Sequence, residues 1–171
     1  MSDDAGVVRL ATAEELAGLP ALELAADAQL VAYLGGASLP PLPEAAQAVA
    51  SLAEAAAVLV AGAPPVGFAR IDVIDGDAHL EQLSVLPSAT RRGIGTALVR
   101  ACCDWAAGNG FGAVTLMTFA HVPFNAPFYA RLGFQSLDDA QLSAPLAAIR
   151  RHEADLGLDA LGTRVAMRRT L

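Results

Sequence analysis

HLEQLSVLPSATRRGIGTALV, residues 79–99, changes character at its middle. The first half alternates like a strand and closes on Val85-Leu86-Pro87. The second half is a turn, Arg91-Arg92-Gly93-Ile94-Gly95-Thr96, that runs directly into a helix. Such a turn offers free backbone N–H groups at the positive end of a helix dipole, a way of holding a phosphate without a metal. Two arginines and no carboxylate lie within it. The turn therefore reads as the seat of a pyrophosphate, and the strand before it as the element that aligns the ligand's reactive end.

Working outward, the helix after the turn carries Ile94, Ala97, Leu98, Ala101, Cys102 and Trp105 on one stripe and stops at Gly108-Asn109-Gly110. Ala113 to Thr118 reads as the next strand, and a strand–helix–strand unit of this length implies a parallel crossover. Upstream, Val58-Leu59-Val60, Val66–Ile74 and Ala78–Val85 form an antiparallel meander, with Asp75-Gly76 as a hairpin turn. Val7–Leu10 suits a first strand, and Thr12-Ala13-Glu14-Glu15 is a capping-box start to a helix that Pro20 interrupts. Further helices are expected over Leu22–Leu34, Glu44–Ala55, Pro123–Arg131 and Ser143–Leu156. Strands are expected at Gly133–Leu137 and Val165–Met167.

The chain has 171 residues, 54% of them hydrophobic and 17% charged, which fits one globular domain over residues 1–171. A net charge of −7 argues against a nucleic-acid or anionic-membrane surface. Cys102 and Cys103 point about 100° apart on a helix, a poor arrangement for a shared disulfide or metal. They read as small core residues in a reducing compartment. No apolar run approaches the ~20 residues of a membrane helix, and the N-terminus lacks a leader pattern. The expected location is the cytoplasm.

Val85-x-Pro87, Arg91-Arg92-Gly93-Ile94-Gly95-Thr96-Ala97-Leu98 and, about thirty residues on, Phe128-Tyr129-Ala130-Arg131-Leu132-Gly133-Phe134 together resemble the GNAT superfamily of N-acetyltransferases. The resemblance covers about residues 58–137. It implies an α/β fold with a mixed, mostly antiparallel sheet of six to seven strands, flanked by helices, whose fourth and fifth strands splay apart. It further implies that acetyl-CoA lies in the gap, its pantetheine arm pairing with backbone near Leu83 and Val85. The pyrophosphate would meet the amides of Arg91, Arg92, Gly93, Ile94, Gly95 and Thr96, with Phe128 among the cofactor contacts. Gly93 and Gly95 agree with this physically, since a residue without Cβ lets backbone approach a bulky phosphate. Two departures stand out. Thr90 occupies a position where the family usually has Gln or Arg. Val122 stands where it often has an asparagine, so either the neighbouring prolines bring Asn125 to that contact or the contact is absent.

Acetyl transfer to an amine needs a deprotonated nitrogen, a polarised thioester and a proton for the departing thiolate. With a pKa of ~10.4, an alkylamine must first lose a proton. Glu81 is the candidate to bind the amine or accept that proton; a solvated or arginine-paired Glu81 is the plain alternative. Regular alternation would put His79, Glu81, Leu83 and Val85 on one face, opposite Gln82 and Ser84. His79 is an alternative base farther from the reactive end, and His121 could line the acceptor site from its loop. The resemblance gives Tyr129 the role of protonating the thiolate, four residues before Gly133-Phe134. The Val85 amide would polarise the carbonyl. No spacing suggests a metal site.

The sequence therefore points to a direct, acetyl-CoA-dependent transfer to a primary amine, expected to be a small molecule. A protein N-terminus or lysine is the alternative acceptor, and a non-catalytic acyl-CoA-binding regulatory domain the alternative class. A homodimer is compatible with the apolar strands. A Rossmann-type reading fails for want of GxGxxG and its acidic ribose partner.

Overall fold

The computed structural model describes residues 7–171. The start of the leader reading, residues 1–6, lies outside them. Strand β1 (Val8–Leu10) leads to two helices, α1 (Ala13–Leu16) and α2 (Leu19–Tyr33). Thr12 caps α1 through the expected box with Glu15, and Pro20 sits in the first turn of α2, where its missing N–H costs nothing. Helix α3 (Ala45–Ala53) precedes the meander β2 (Ala57–Ala61), β3 (Gly67–Ile74) and β4 (Asp77–Val85). Next come α4 (Ile94–Gly108), β5 (Ala113–Phe119), α5 (Ala126–Arg131), β6 (Gln135–Leu137), α6 (Ala144–Asp155) and β7 (Arg164–Thr170).

The seven strands form one sheet in the order β1-β2-β3-β4-β5-β7-β6. Neighbours are antiparallel except β4 and β5, which the α4 crossover makes parallel. The sequence placed every strand but did not foresee that β7 inserts between β5 and β6. That insertion aligns all of β5, from Ala113 opposite Thr170 to Phe119 opposite Arg164.

Two apolar clusters cover the sheet. Leu98, Val99, Cys102 and Ala106 of α4 are fully or almost fully buried against Ile71, Leu80, Val114 and Leu116, with Tyr129 and Phe134 completing that side. On the other side, Leu19 and Leu22 of α2 and Leu52 of α3 pack on Val58, Val60 and Phe68. Cys102 and Cys103 are buried free thiols, as their helical spacing suggested. Gly67 allows α4 to approach closely: a Cβ there would lie 3.0 Å from the Ser84 carbonyl and 3.2 Å from both Ile94 and Leu98 side chains. This contact fixes the start of α4 beside the end of β4.

Candidate active site

Strands β4 and β5 pair at Ala78–Val114 and His79–Thr115 and then separate. The expected splay is thus present, with Leu80–Val85 on one lip and Leu116–Phe119 on the other. The ladder to β3 determines where the free β4 groups point. Leu86 N–H donates to Val66 O at 2.9 Å, which makes Gly67–Val85 and Ala69–Leu83 the non-hydrogen-bonded pairs of that ladder. The amides of Leu83 and Val85 therefore turn away from β3, into the gap.

At the lower end of the lip the chain turns into α4. Gly93 caps the helix with φ +79°, and Arg91 before it has φ +61°. The first bond closing the helix runs from Ala97 N–H to Gly93 O, at 2.9 Å. The amides of Gly93, Ile94, Gly95 and Thr96 thus have no partner inside the helix. They open on a cavity of about 610 Å³ that follows the gap, well within the size range of cofactor sites.

Of the sequence candidates, Glu81, Leu83, Val85, Arg91, Gly93, Ile94, Gly95, Thr96, Asn125, Phe128 and Tyr129 all line this cavity. Arg92 does not; it is exposed beside it. Asn125 caps α5 and faces the cavity, whereas Val122 is buried at 3% exposure. His121 is exposed and outside the lining. Tyr129 is 8% exposed and wedged edge-on between Phe128 and Phe134, with ring centroids 5.1 and 5.8 Å away. Loss of solvent around its phenol, and secondarily Cys102, raise its pKa further above the ordinary value.

The alternation expected along β4 breaks at Glu81. Arg70 pairs with Gln82 and Ile71 with Leu80, so Glu81 is an extra residue in a β-bulge. The side chains exchange faces there: Leu80 joins Leu83 and Val85 on the α4 side, and His79 does not. The single face expected for His79, Glu81, Leu83 and Val85 is therefore corrected: Leu83 and Val85 leave it. Glu81 stays with His79, whose Nε2 lies 3.5 Å from Oε2.

Although 45% of the Glu81 side chain is open to the cleft, protein surrounds it closely. Desolvation, then the nearby Asp72, push its pKa up, against Arg70 and Arg164. Glu81 and Gln82 also line a second cavity of about 380 Å³, between α2, α3 and the sheet. Its walls are mostly apolar, including Leu24, Leu42, Leu52 and Phe68, with Glu23 and Arg70 as further charges. Glu23 is pushed up by burial and by Asp27, and Asp27 by burial. Arg70 is committed to Asp72, at 3.0 and 3.1 Å, and to Ser51 at 2.8 Å. Arg164, on the main cavity wall, is clasped by Glu153 and stacks over Phe119 at 4.5 Å.

Glu23, Asp27, Arg70 and Arg164 were missed in the sequence. A signal did exist for the first two: they are the sole charges between Glu15 and Glu44, one helical turn apart in an apolar helix. Arg70 and Arg164 reach the site only through tertiary pairing. Among the described residues, no cluster of histidine, cysteine and carboxylate side chains could hold a metal, and no helix is long and apolar enough to cross a membrane.

Residues 23–134 match the family described as acetyltransferase (GNAT). The fold is similar to N-acetylglutamate synthase from Neisseria gonorrhoeae, solved with coenzyme A and N-acetyl-glutamate, at TM-score 0.70 and 17% identity. That match covers 96% of this chain but 35% of the synthase. It is also similar to the PaiA N-acetyltransferase from Thermoplasma acidophilum in complex with coenzyme A (TM-score 0.63, 16% identity, 96% of this chain and 98% of that one). A third similar structure is the ribosomal-protein-S18-alanine N-acetyltransferase from Escherichia coli (TM-score 0.66, 17% identity, 96% and 92%).

Proposed function

The chain belongs to the acetyltransferase (GNAT) family, and from that premise we propose that it transfers an acetyl group from acetyl-CoA directly to a primary amine of a small, cationic molecule without a carboxylate. In this reading the pyrophosphate sits on the amides of 91–96, with Arg91 alongside, and the pantetheine arm completes the sheet against Leu83 and Val85. Asn125 and Phe128 flank it. The free, buried thiols of Cys102 and Cys103 fit action in a reducing compartment, read here as the cytoplasm, by one domain.

The observation that carries the acceptor class is the second cavity and its charge. It meets the cofactor cleft at Glu81 and Gln82, so an amine seated there reaches a thioester in the gap. The arginines at this end are already paired, Arg70 with Asp72 and Arg164 with Glu153. Glu23, Asp27 and Glu81 have no such ion pair among the described residues. An acceptor carboxylate would meet carboxylates and lose its water without a partner, whereas an ammonium would relieve their desolvation.

The reaction then runs as follows. Glu81 takes a proton from the ammonium, and the freed nitrogen attacks the thioester carbon. The Val85 amide stabilises the charge developing on the carbonyl oxygen. As the C–S bond breaks, Tyr129 protonates the thiolate, and the second proton lost by the nitrogen restores the phenol. One proton leaves through Glu81 to solvent, balancing the conversion of an ammonium to an amide.

The experiment is a panel of amines assayed for free coenzyme A release with acetyl-CoA. Apolar mono- and diamines should be acetylated, with kcat/KM at least about tenfold above that for amino acids of matched size. Preference for amino acids would overturn the acceptor class. Acetylation of peptide N-termini alone would favour a protein acceptor.

A further inference from the structure

His79 is 1% exposed and lines neither cavity, yet it touches the residue on which the proposed proton transfer depends. Its Nδ1 lies 2.8 Å from Thr115 Oγ1. The Thr115 hydroxyl in turn donates to Ala78 O at 3.4 Å. Having given its proton to a carbonyl, that oxygen takes the Nδ1–H of His79, which leaves Nε2 as a bare lone pair. This lone pair faces Glu81 Oε2 at 3.5 Å. Two acceptors face to face repel unless a proton lies between them.

We propose that His79 is a positioning residue for Glu81: its Nε2 shares one proton with the Glu81 carboxyl, so the proton taken from the amine is held between the two groups. The proposal rests on the acetyl-transfer reading. In the step itself the ammonium N–H breaks and a Glu81 O–H forms, and that O–H donates to Nε2. No other reactant is needed, and the proton returns to solvent when product leaves. His79 and Glu81 stand two positions apart on β4, and the bulge at Glu81 leaves them in contact while carrying Leu83 and Val85 to the other face. Other charged groups facing the pair are Asp72 and Arg70 on β3, Glu23 on α2, Glu153 on α6 and Arg164 on β7. Asp72 and Glu153 are bound to the two arginines, so the imidazole is the neutral acceptor within reach.

The test measures kcat and both KM values against pH for the wild type and for His79→Asn, Thr115→Val and Thr115→Ser. Losing Nε2 removes stabilisation of the protonated carboxyl and leaves a weaker base. His79→Asn should therefore lower kcat about tenfold and move the acidic limb of kcat/KM to lower pH, with KM for acetyl-CoA unchanged. Thr115→Val should shift the same limb by less, and Thr115→Ser should restore it. Nitrogen NMR of the wild-type ring, which needs no variant to fold, should find Nδ1 protonated and Nε2 bare. Normal turnover with an unmoved limb, or a ring protonated at Nε2 in place of Nδ1, overturns the proposal alone. No coenzyme A release from the wild type with any amine removes the acetyl-transfer reading, and the proposal with it.

Discussion

His79 and Thr115 are the last residues through which β4 and β5 run side by side, and their side chains are joined as well as their strands. Burial depresses the His79 pKa to about 4 from 6.5, against a smaller opposing pull from Asp72. The unfolded chain therefore takes up this proton first, below pH ~6.5, and the folded chain only near pH 4. Stability supported by neutral His79 is whole above pH 6.5 and falls as the pH drops toward 4, by about 3 kcal/mol in all. Glu23, Asp27 and Glu81 act oppositely, since their raised values let the folded state bind protons earlier. Urea midpoints at pH 7 and pH 4.5 separate the two effects. The stability gap between wild type and His79→Asn should narrow at the lower pH.

Tyr129→Phe should leave coenzyme A affinity within about twofold while cutting turnover at least about tenfold. The phenol makes no hydrogen bond within the described residues, so removing its oxygen leaves no partner stranded and should barely change the melting temperature. Calorimetric titration alongside the release assay checks both halves. Undiminished turnover would remove Tyr129 from the chemistry.

Gly93 and Gly95 should respond to alanine with opposite signs. Gly93 has φ +79° and open space around it, so Gly93→Ala bears only the left-handed backbone cost, about 1–2 kcal/mol. It should also weaken coenzyme A binding by disturbing the amide cradle. At Gly95 a Cβ would make ordinary contact, 3.6 Å from Phe128 and 4.0 Å from Val85. Gly95→Ala should gain up to about 1 kcal/mol of helix stability. Equal losses in both variants would contradict the observed helix start.

Glu23→Gln should raise KM for a cationic amine several-fold without changing KM for acetyl-CoA, because Glu23 lines the smaller cavity and not the cofactor cleft. The discriminating outcome is in the ratio: a matched rise in both constants would mean that the helix, and not the charge, had been disturbed.

The regular strands, the parallel crossover and the glycine turn were legible because each follows from local periodicity and turn chemistry. The candidate site was legible where it lies on those elements, as at Leu83, Val85, Gly93 and Tyr129. It failed where geometry depends on a partner strand. Nothing in HLEQLSV announces an extra residue, since a bulge is a mismatch between two strands and leaves no mark on one. Arg92 was included because the resemblance runs the pyrophosphate contacts through residues 91–96, whereas its side chain lies exposed beside the lining. β7 could not be positioned because its place between β5 and β6 is set by pairing across a long separation.

The parting of β4 and β5 gives this sheet a pair of raw borders in its interior. A border of that kind on the outside of a protein invites any passing strand to attach, a standing hazard of aggregation. Here helices on both sides enclose it, so its adhesiveness is reserved for guests thin enough to slide in lengthwise. The enclosure has the shape of a slot, long and narrow between its two lips.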